Sequence, residues 1–160
     1  MEERVWKTYE EVAAYILNRF ASEFGMARFE GKQDIGGDAT TWEIDAKGVR
    51  DDDGAFLVVE CKCHKTRIPQ GILGNLAFSI IDAGGTGGVI VSPMDLQKGA
   101  KKIAASRNIV HVKLPADSTP ENFIIKFLDK VFAQLTDTLV LSDAVICEVV
   151  RAPKPPDEMQ

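Results

Sequence analysis

The stretch Phe56-Leu57-Val58-Val59-Glu60-Cys61-Lys62 decides the fold. Its first four residues are apolar and β-forming, the composition of a strand buried inside a sheet. A carboxylate and an ammonium then follow in the same strand, where unpaired charge is expensive to bury. Side chains alternate along a strand, so Glu60 and Lys62 share one face while Cys61 and Cys63 take the other. A central strand is predicted over Ala55–Cys63.

Immediately upstream, Thr41 to Val49 alternates and ends at Asp51-Asp52-Asp53-Gly54, a strong turn signal. The two strands are expected to form a hairpin. With the turn centred on Asp52–Asp53, paired positions sum to 105, which sets Asp45 opposite Glu60 and Glu43 opposite Lys62. All four charges can then share one face. Two acids beside a lysine could hold a hard cation, since Mg²⁺ takes one or two carboxylates and completes its shell with water and phosphate oxygens. Such an ion stabilises charge on a phosphate and helps generate hydroxide, with the lysine orienting the water. The same charges could instead pair across the strands, Glu43 with Lys62 for example.

Outward from this hairpin, Thr8 to Phe24 has helical spacing, with Thr8 and Glu11 as a capping box and Gly25 as its end. Phe29 to Thr40 is polar and glycine-bearing, a loop with at most a short strand. Helices are predicted over Gln70–Ile81, Leu96–Ser106 and Thr119–Leu135, and strands over Gly87–Ser92 and Ile109–Leu114. Leu139 to Val150 reads as extended. The order predicts an α/β domain with a mixed sheet over residues 1–150, followed by a disordered proline-rich tail, 151–160.

The 160 residues, 45% hydrophobic and 27% charged, exclude disordered, collagen-like and coiled-coil classes. No apolar run approaches the ~20 residues of a membrane span. The charged start and only three cysteines predict a cytoplasmic protein without a disulfide framework. The net charge of −5 hides a block structure: residues 61–114 hold 8 bases and 2 acids, whereas residues 1–60 hold 14 acids and 7 bases. Lys65 and Arg67 directly after the charged strand, and Lys98, Lys101 and Lys102 on a later helix, could contact backbone phosphates. A solvated lysine face is the plainer reading of the helix residues.

Asp45 followed by Glu60-Cys61-Lys62 behind an apolar run resembles the Asp…(Asp/Glu)-x-Lys signature of the PD-(D/E)xK nuclease superfamily. The series that follows is similar to the Mrr-type restriction endonuclease branch and its archaeal junction-resolvase relatives, over roughly residues 8–114. It comprises Asp82-Ala83-Gly84-Gly85, Gly88-Val89-Ile90-Val91-Ser92, Gln97-Lys98-Gly99-Ala100, Ala104 and Asn108-Ile109-Val110. The resemblance implies a restriction-endonuclease-like three-layer fold, with a mixed central sheet flanked by helices. It implies a DNA endonuclease that uses Mg²⁺, with Mn²⁺ able to substitute, and leaves 5′-phosphate and 3′-hydroxyl ends. Asp45 and Glu60 would be metal ligands with the carbonyl of Cys61 as a third, and Lys62 the catalytic lysine. Glu11 matches a first-helix glutamate that assists at the metal site, and Gln70 a substrate-contacting glutamine. A homodimer or a partner domain is expected, because one such site cuts one strand. The chain departs from the family in carrying Thr40-Thr41-Trp42-Glu43-Ile44-Asp45 where a Gly-x-Asp-Gly-type run is common, which leaves the role of Glu43 open.

Two other readings remain at this point: a nuclease-fold module that binds DNA or a protein without cutting, and an assembly protein whose strand charges merely pair. Cys61-Lys62-Cys63-His64 lacks the spacing and the second ligand pair of a zinc site. Gly84-Gly85-Thr86-Gly87-Gly88 precedes a strand, whereas a dinucleotide loop follows one.

Overall fold

Helix α1 spans Tyr9–Arg19, and the Thr8 hydroxyl caps it by accepting from the Glu11 N–H at 3.1 Å. Val12, Ala13, Ile16 and Leu17 form its buried face. The helix stops at Phe20, short of the predicted Phe24, and Ala21–Phe24 tightens into a 3-10 turn. Gly25 closes that turn at φ 70°, a left-handed conformation that glycine adopts without a Cβ clash. These elements come from a computed structural model, which describes residues 8–116 and two short strands at 138–140 and 148–150.

The segment expected as a loop holds two strands, β1 (Arg28–Glu30) and β2 (Gln33–Gly36). The strand expected over Thr41–Val49 is in fact two, β3 (Thr41–Ile44) and β4 (Ala46–Val49), separated by a bend at Asp45. Strand β3 pairs with β2 as a separate two-stranded sheet. Strand β4 pairs antiparallel with β5 (Phe56–Cys61), and Ala46 lies opposite Val59 in the register expected from the turn.

Beyond β5 come α2 (Gln70–Ala83), β6 (Gly87–Ser92), α3 (Lys98–Ser106) and β7 (Ile109–Lys113). Strands β5, β6 and β7 are parallel neighbours. Strands β8 (Thr138–Val140) and β9 (Glu148–Val150) supply extended pieces of the expected 139–150 region. The main sheet runs β1-β4-β5-β6-β7-β9-β8 and is mixed. The helix predicted over 119–135 and the 151–160 tail lie outside the described residues.

The central strands are buried on both faces, and alternate side chains divide the core in two. Leu57, Val59, Cys61, Val89 and Val91 pack with Val12, Ala13, Ile16 and Leu17 of α1. Val58, Ile90 and Ile109 pack with Leu73, Leu76, Ile80, Ala100 and Ala104 of α2 and α3. The result is the three-layer α/β arrangement, with helices on both faces of a mixed sheet. Helix α2 sits close to the sheet because Gly88 has no side chain: a Cβ there would lie 2.7 Å from Ile80 Cδ1 and 2.9 Å from the Val58 carbonyl oxygen. Among the described residues no helix is long and apolar enough to cross a membrane.

Candidate active site

The bend at Asp45 carries the site. The Asp45 N–H donates to the Val59 carbonyl at 3.1 Å, so the residue stays joined to β5 although it belongs to neither flanking strand. Its side chain turns to the same neighbour: the Cys61 N–H donates to Asp45 Oδ2 at 2.7 Å. This sets Asp45 at the level of Glu60. Strand β5 ends at Cys61, but the Lys62 N–H still donates to the Val91 carbonyl at 2.8 Å, which pins the lysine beside β6. Lys62 Nζ lies 2.6 Å from Glu60 Oε1, with the two side chains 32% and 22% exposed. The pairing thus runs along one strand, between residues two apart on one face.

Glu43 does not face Lys62. It lies across from Asp34 in the small sheet, and its carboxylate pairs with Lys32 at 3.0 Å. The strand break at Asp45 removes Glu43 from the β4–β5 ladder on which that expectation rested.

Burial holds the carboxyls of Asp45 and Glu60 above their ordinary range, and the negative charge of Glu10 adds to this in both. The Cys61 N–H and the charge of Lys62 oppose the rise at Asp45, and the Lys62 hydrogen bond opposes it at Glu60. Burial alone would lower Lys62. The hydrogen bond to Glu60 and the charges of Glu60 and Asp45 outweigh it, so the ammonium is held more tightly than usual. Burial likewise pushes the Cys61 thiol far up, which leaves it an inert packing group.

Glu10 is the acid that sequence reasoning missed. The resemblance points to Glu11, and its neighbour Glu10 adds a charge that bears on Asp45, Glu60 and Cys61. Both acids line a groove that opens beside Asp45 between α1 and the β1–β2 segment.

The basic candidates lie in the loop before α2 and on α3, the helices that cover the face of the sheet away from α1. Lys65 and Arg67 are exposed in the β5–α2 loop, and Lys98, Lys101 and Lys102 are exposed on α3. A backbone bridge between Ile68 and Leu96 ties the two loops together, with Ile68 N–H donating to Asp95 O and Gln97 N–H to Ile68 O, each at 2.9 Å. Gln70 opens α2 against α3, where its carboxamide occupies the space that a Cβ on Gly99 would need. The bridge therefore holds the loop that carries Lys65 and Arg67 beside the loop that leads into α3.

Two half-buried acids that burial and the charge of Glu10 both disfavour as anions form a place where a cation would stabilise each. Among the described residues no three side chains of the His, Cys, Asp or Glu type gather as a complete ligand set. A divalent ion held by Asp45 and Glu60 would complete its shell with main-chain, water or phosphate oxygens, the habit of Mg²⁺. On this ground the residues fit the ion.

Comparison with known proteins agrees with the fold. The family model Mrr_cat, restriction endonuclease, matches residues 2–116. The crystal structure of AF1548, a protein of unknown function, matches with a TM-score of 0.52 and 21% identity over 62% of this chain. The match covers 55% of that structure, so this chain spans about half its length, and at this identity the likeness shows the fold alone. No curated protein matches the chain.

Proposed function

We propose, from the premise that the chain belongs to the Mrr_cat restriction endonuclease family, that it is a Mg²⁺-dependent DNA endonuclease in which Mn²⁺ can substitute. The observation that supports this reading is the Cys61-to-Asp45 hydrogen bond, which ties Asp45 to the strand end where Glu60 pairs with Lys62.

Asp45, Glu60 and the Cys61 carbonyl are the residues that would hold the ion. The ion, when bound, stabilises charge on the scissile phosphate and favours hydroxide from its water. Glu10 and Glu11 both border the site, and Glu10 adds negative charge at the two ligands. Lys62 is a strong cation in this setting, so it serves as a hydrogen-bond donor to the attacking water or the phosphate and not as a base. Lys65, Arg67, Gln70, Lys98, Lys101 and Lys102 would seat backbone phosphates beside it, giving an affinity that falls as salt rises. Cleavage leaves 5′-phosphate and 3′-hydroxyl ends. A homodimer or a partner domain would supply the second cut.

One observation favours a second reading. Lys62 already has an ion-pair partner in Glu60, as a non-cutting nuclease-fold module would also show. Cleavage decides between the two. Supercoiled plasmid, linear duplex, single strand and a four-way junction are incubated with Mg²⁺ or Mn²⁺, with EDTA controls. Wild type should cut in a metal-dependent way and Lys62→Ala should not. Equal cutting by both proteins would remove Lys62 from the mechanism, and no cutting by wild type would favour the binding module.

A further inference from the structure

We infer that Gly99 is a positioning residue for Gln70. By lacking a side chain in the first turn of α3, it lets the Gln70 carboxamide lie against that turn and present its NH₂ group to a backbone phosphate of the bound DNA. This rests on the endonuclease reading and adds a residue that acts on the substrate only through another.

Backbone conformation does not account for this glycine. Gly99 is the second residue of α3, and the described glycines with positive φ are Gly25, Gly54 and Gly84. Glycine within a helix costs stability relative to alanine. What a side chain would meet does account for it. A Cβ at Gly99 would overlap Gln70 Oε1 and lie 2.9 Å from Gln70 Cδ. At Gly71 and Gly74 of α2 a Cβ would meet nothing within 4 Å, so those glycines hold no neighbour in place.

The backbones on both sides of the contact are fixed. Ala100 and Ala104 of α3 share one buried cluster with Leu73 and Leu76 of α2, and the two small side chains let the helices approach closely. The bridge between Ile68 and Leu96 ties the two helix starts together through its hydrogen bonds. The soft part of the contact is the Gln70 side chain, which is long, flexible and on an exposed residue. No described residue hydrogen-bonds to its carboxamide, so packing on Gly99 sets its direction. The carboxamide NH₂ is a donor suited to a phosphate oxygen. A methyl group at position 99 would turn it away and leave both helices where they are.

The test is a double-variant cycle on the full chain with Mn²⁺, using the DNA that wild type cuts best. Gly99→Ala and Gln70→Ala should each raise KM about tenfold with kcat little changed, because a phosphate contact is lost from ground and transition states alike. In the Gln70→Ala background, Gly99→Ala should raise KM no further. Gly99→Ala should melt at or above the temperature of wild type, since the atom in its way is the end of a movable side chain. Should it melt lower, Gln70→Ala removes the obstruction and should restore it. Either single variant with the wild-type KM would overturn this inference alone. So would a second full loss in the Gln70→Ala background, or a lowered melting temperature that Gln70→Ala does not restore. Wild type that cuts no DNA at all would overturn the endonuclease reading and this inference with it.

Discussion

The Cys61 amide donates to Asp45 Oδ2 at 2.7 Å across a bend where the chain passes from one sheet into another. This contact holds a carboxylate in a half-buried position, level with Glu60 and within the field of Glu10. The site is thereby built at some cost in stability, a common property of functional sites.

Asp45→Asn exposes that cost. Asparagine keeps an acceptor for the Cys61 N–H and removes the charge. The folded-state carboxyl of Asp45 is held above its unfolded value. Its ionisation therefore opposes folding at neutral pH, and stability from this group returns as pH falls through the folded pKa. The variant should melt higher than wild type at pH 7, while losing cleavage. Thermal unfolding at pH 7 checks this, and a lower melting temperature would contradict it. Mn²⁺ should raise the melting temperature of wild type and leave the variant unmoved.

Lys62→Ala should reduce cutting by about 10²–10³-fold, the usual effect of removing one donor from a charged transition state. It should also change metal binding. Lys62 holds the Glu60 carboxyl down through its hydrogen bond. Without it Glu60 keeps its proton to higher pH, so Mn²⁺ binding should be lost at a higher pH than in wild type as the solution is acidified. Calorimetric titration with Mn²⁺ between pH 5 and 8 measures this, and coincident pH profiles would count against the coupling.

Asp82 clamps the β2–β3 hairpin to the end of α2. Its carboxylate accepts from the N–H groups of Ala39 and Thr40 at 2.7 and 3.2 Å and from Trp42 Nε1 at 2.9 Å. These bonds, led by the one from Trp42, hold the carboxyl below its usual range. Asp82→Ala should lower the melting temperature by a few degrees and cut activity through Asp45, three residues beyond Trp42. Asp82→Asn, which keeps an acceptor, should recover part of both. Trp42 emission should shift to the red in the alanine variant, and an unchanged spectrum would mean the hairpin stays docked without its clamp.

His111 makes stability depend on pH. It is buried at 6% exposure, and its Nε2 lies 2.8 Å from Ser92 Oγ. The Ser92 hydroxyl donates to the Met94 carbonyl at 2.6 Å, so Nε2 must carry the proton it shares with Ser92. Burial lowers the imidazole from 6.5 to about 4, against the nearby charge of Asp95 and with that of Lys113 and Lys101. The folded protein excludes a proton that the unfolded chain takes up. Stability from this group is complete above about pH 6.5 and is lost as pH falls toward 4. The loss should reach about 3 kcal/mol at most. His111→Gln keeps a donor without titrating and should flatten that part of the pH–melting curve. Parallel curves for the two proteins would show that His111 is not the source.

The sequence by itself determined the β4–β5 ladder. Three aspartates and a glycine mark one turn, alternation marks the strand before it, and together they set the register that pairs Ala46 with Val59. The charged end of β5, the parallel strands β6 and β7, and helices α2 and α3 were equally legible, because each rests on spacing within a short window. Only the tertiary structure decided the rest. Strand β3 leaves the ladder because β2 offers it another partner, and β2 was too short and polar to announce itself. Glu43 follows β3 to Lys32, Glu10 joins Glu11 beside Asp45, and the groove exists only where α1 meets a segment that reads as a loop. Local pattern fixes which way a side chain alternates, but contacts between distant segments fix what it meets, and the chemistry of this site depends on the second.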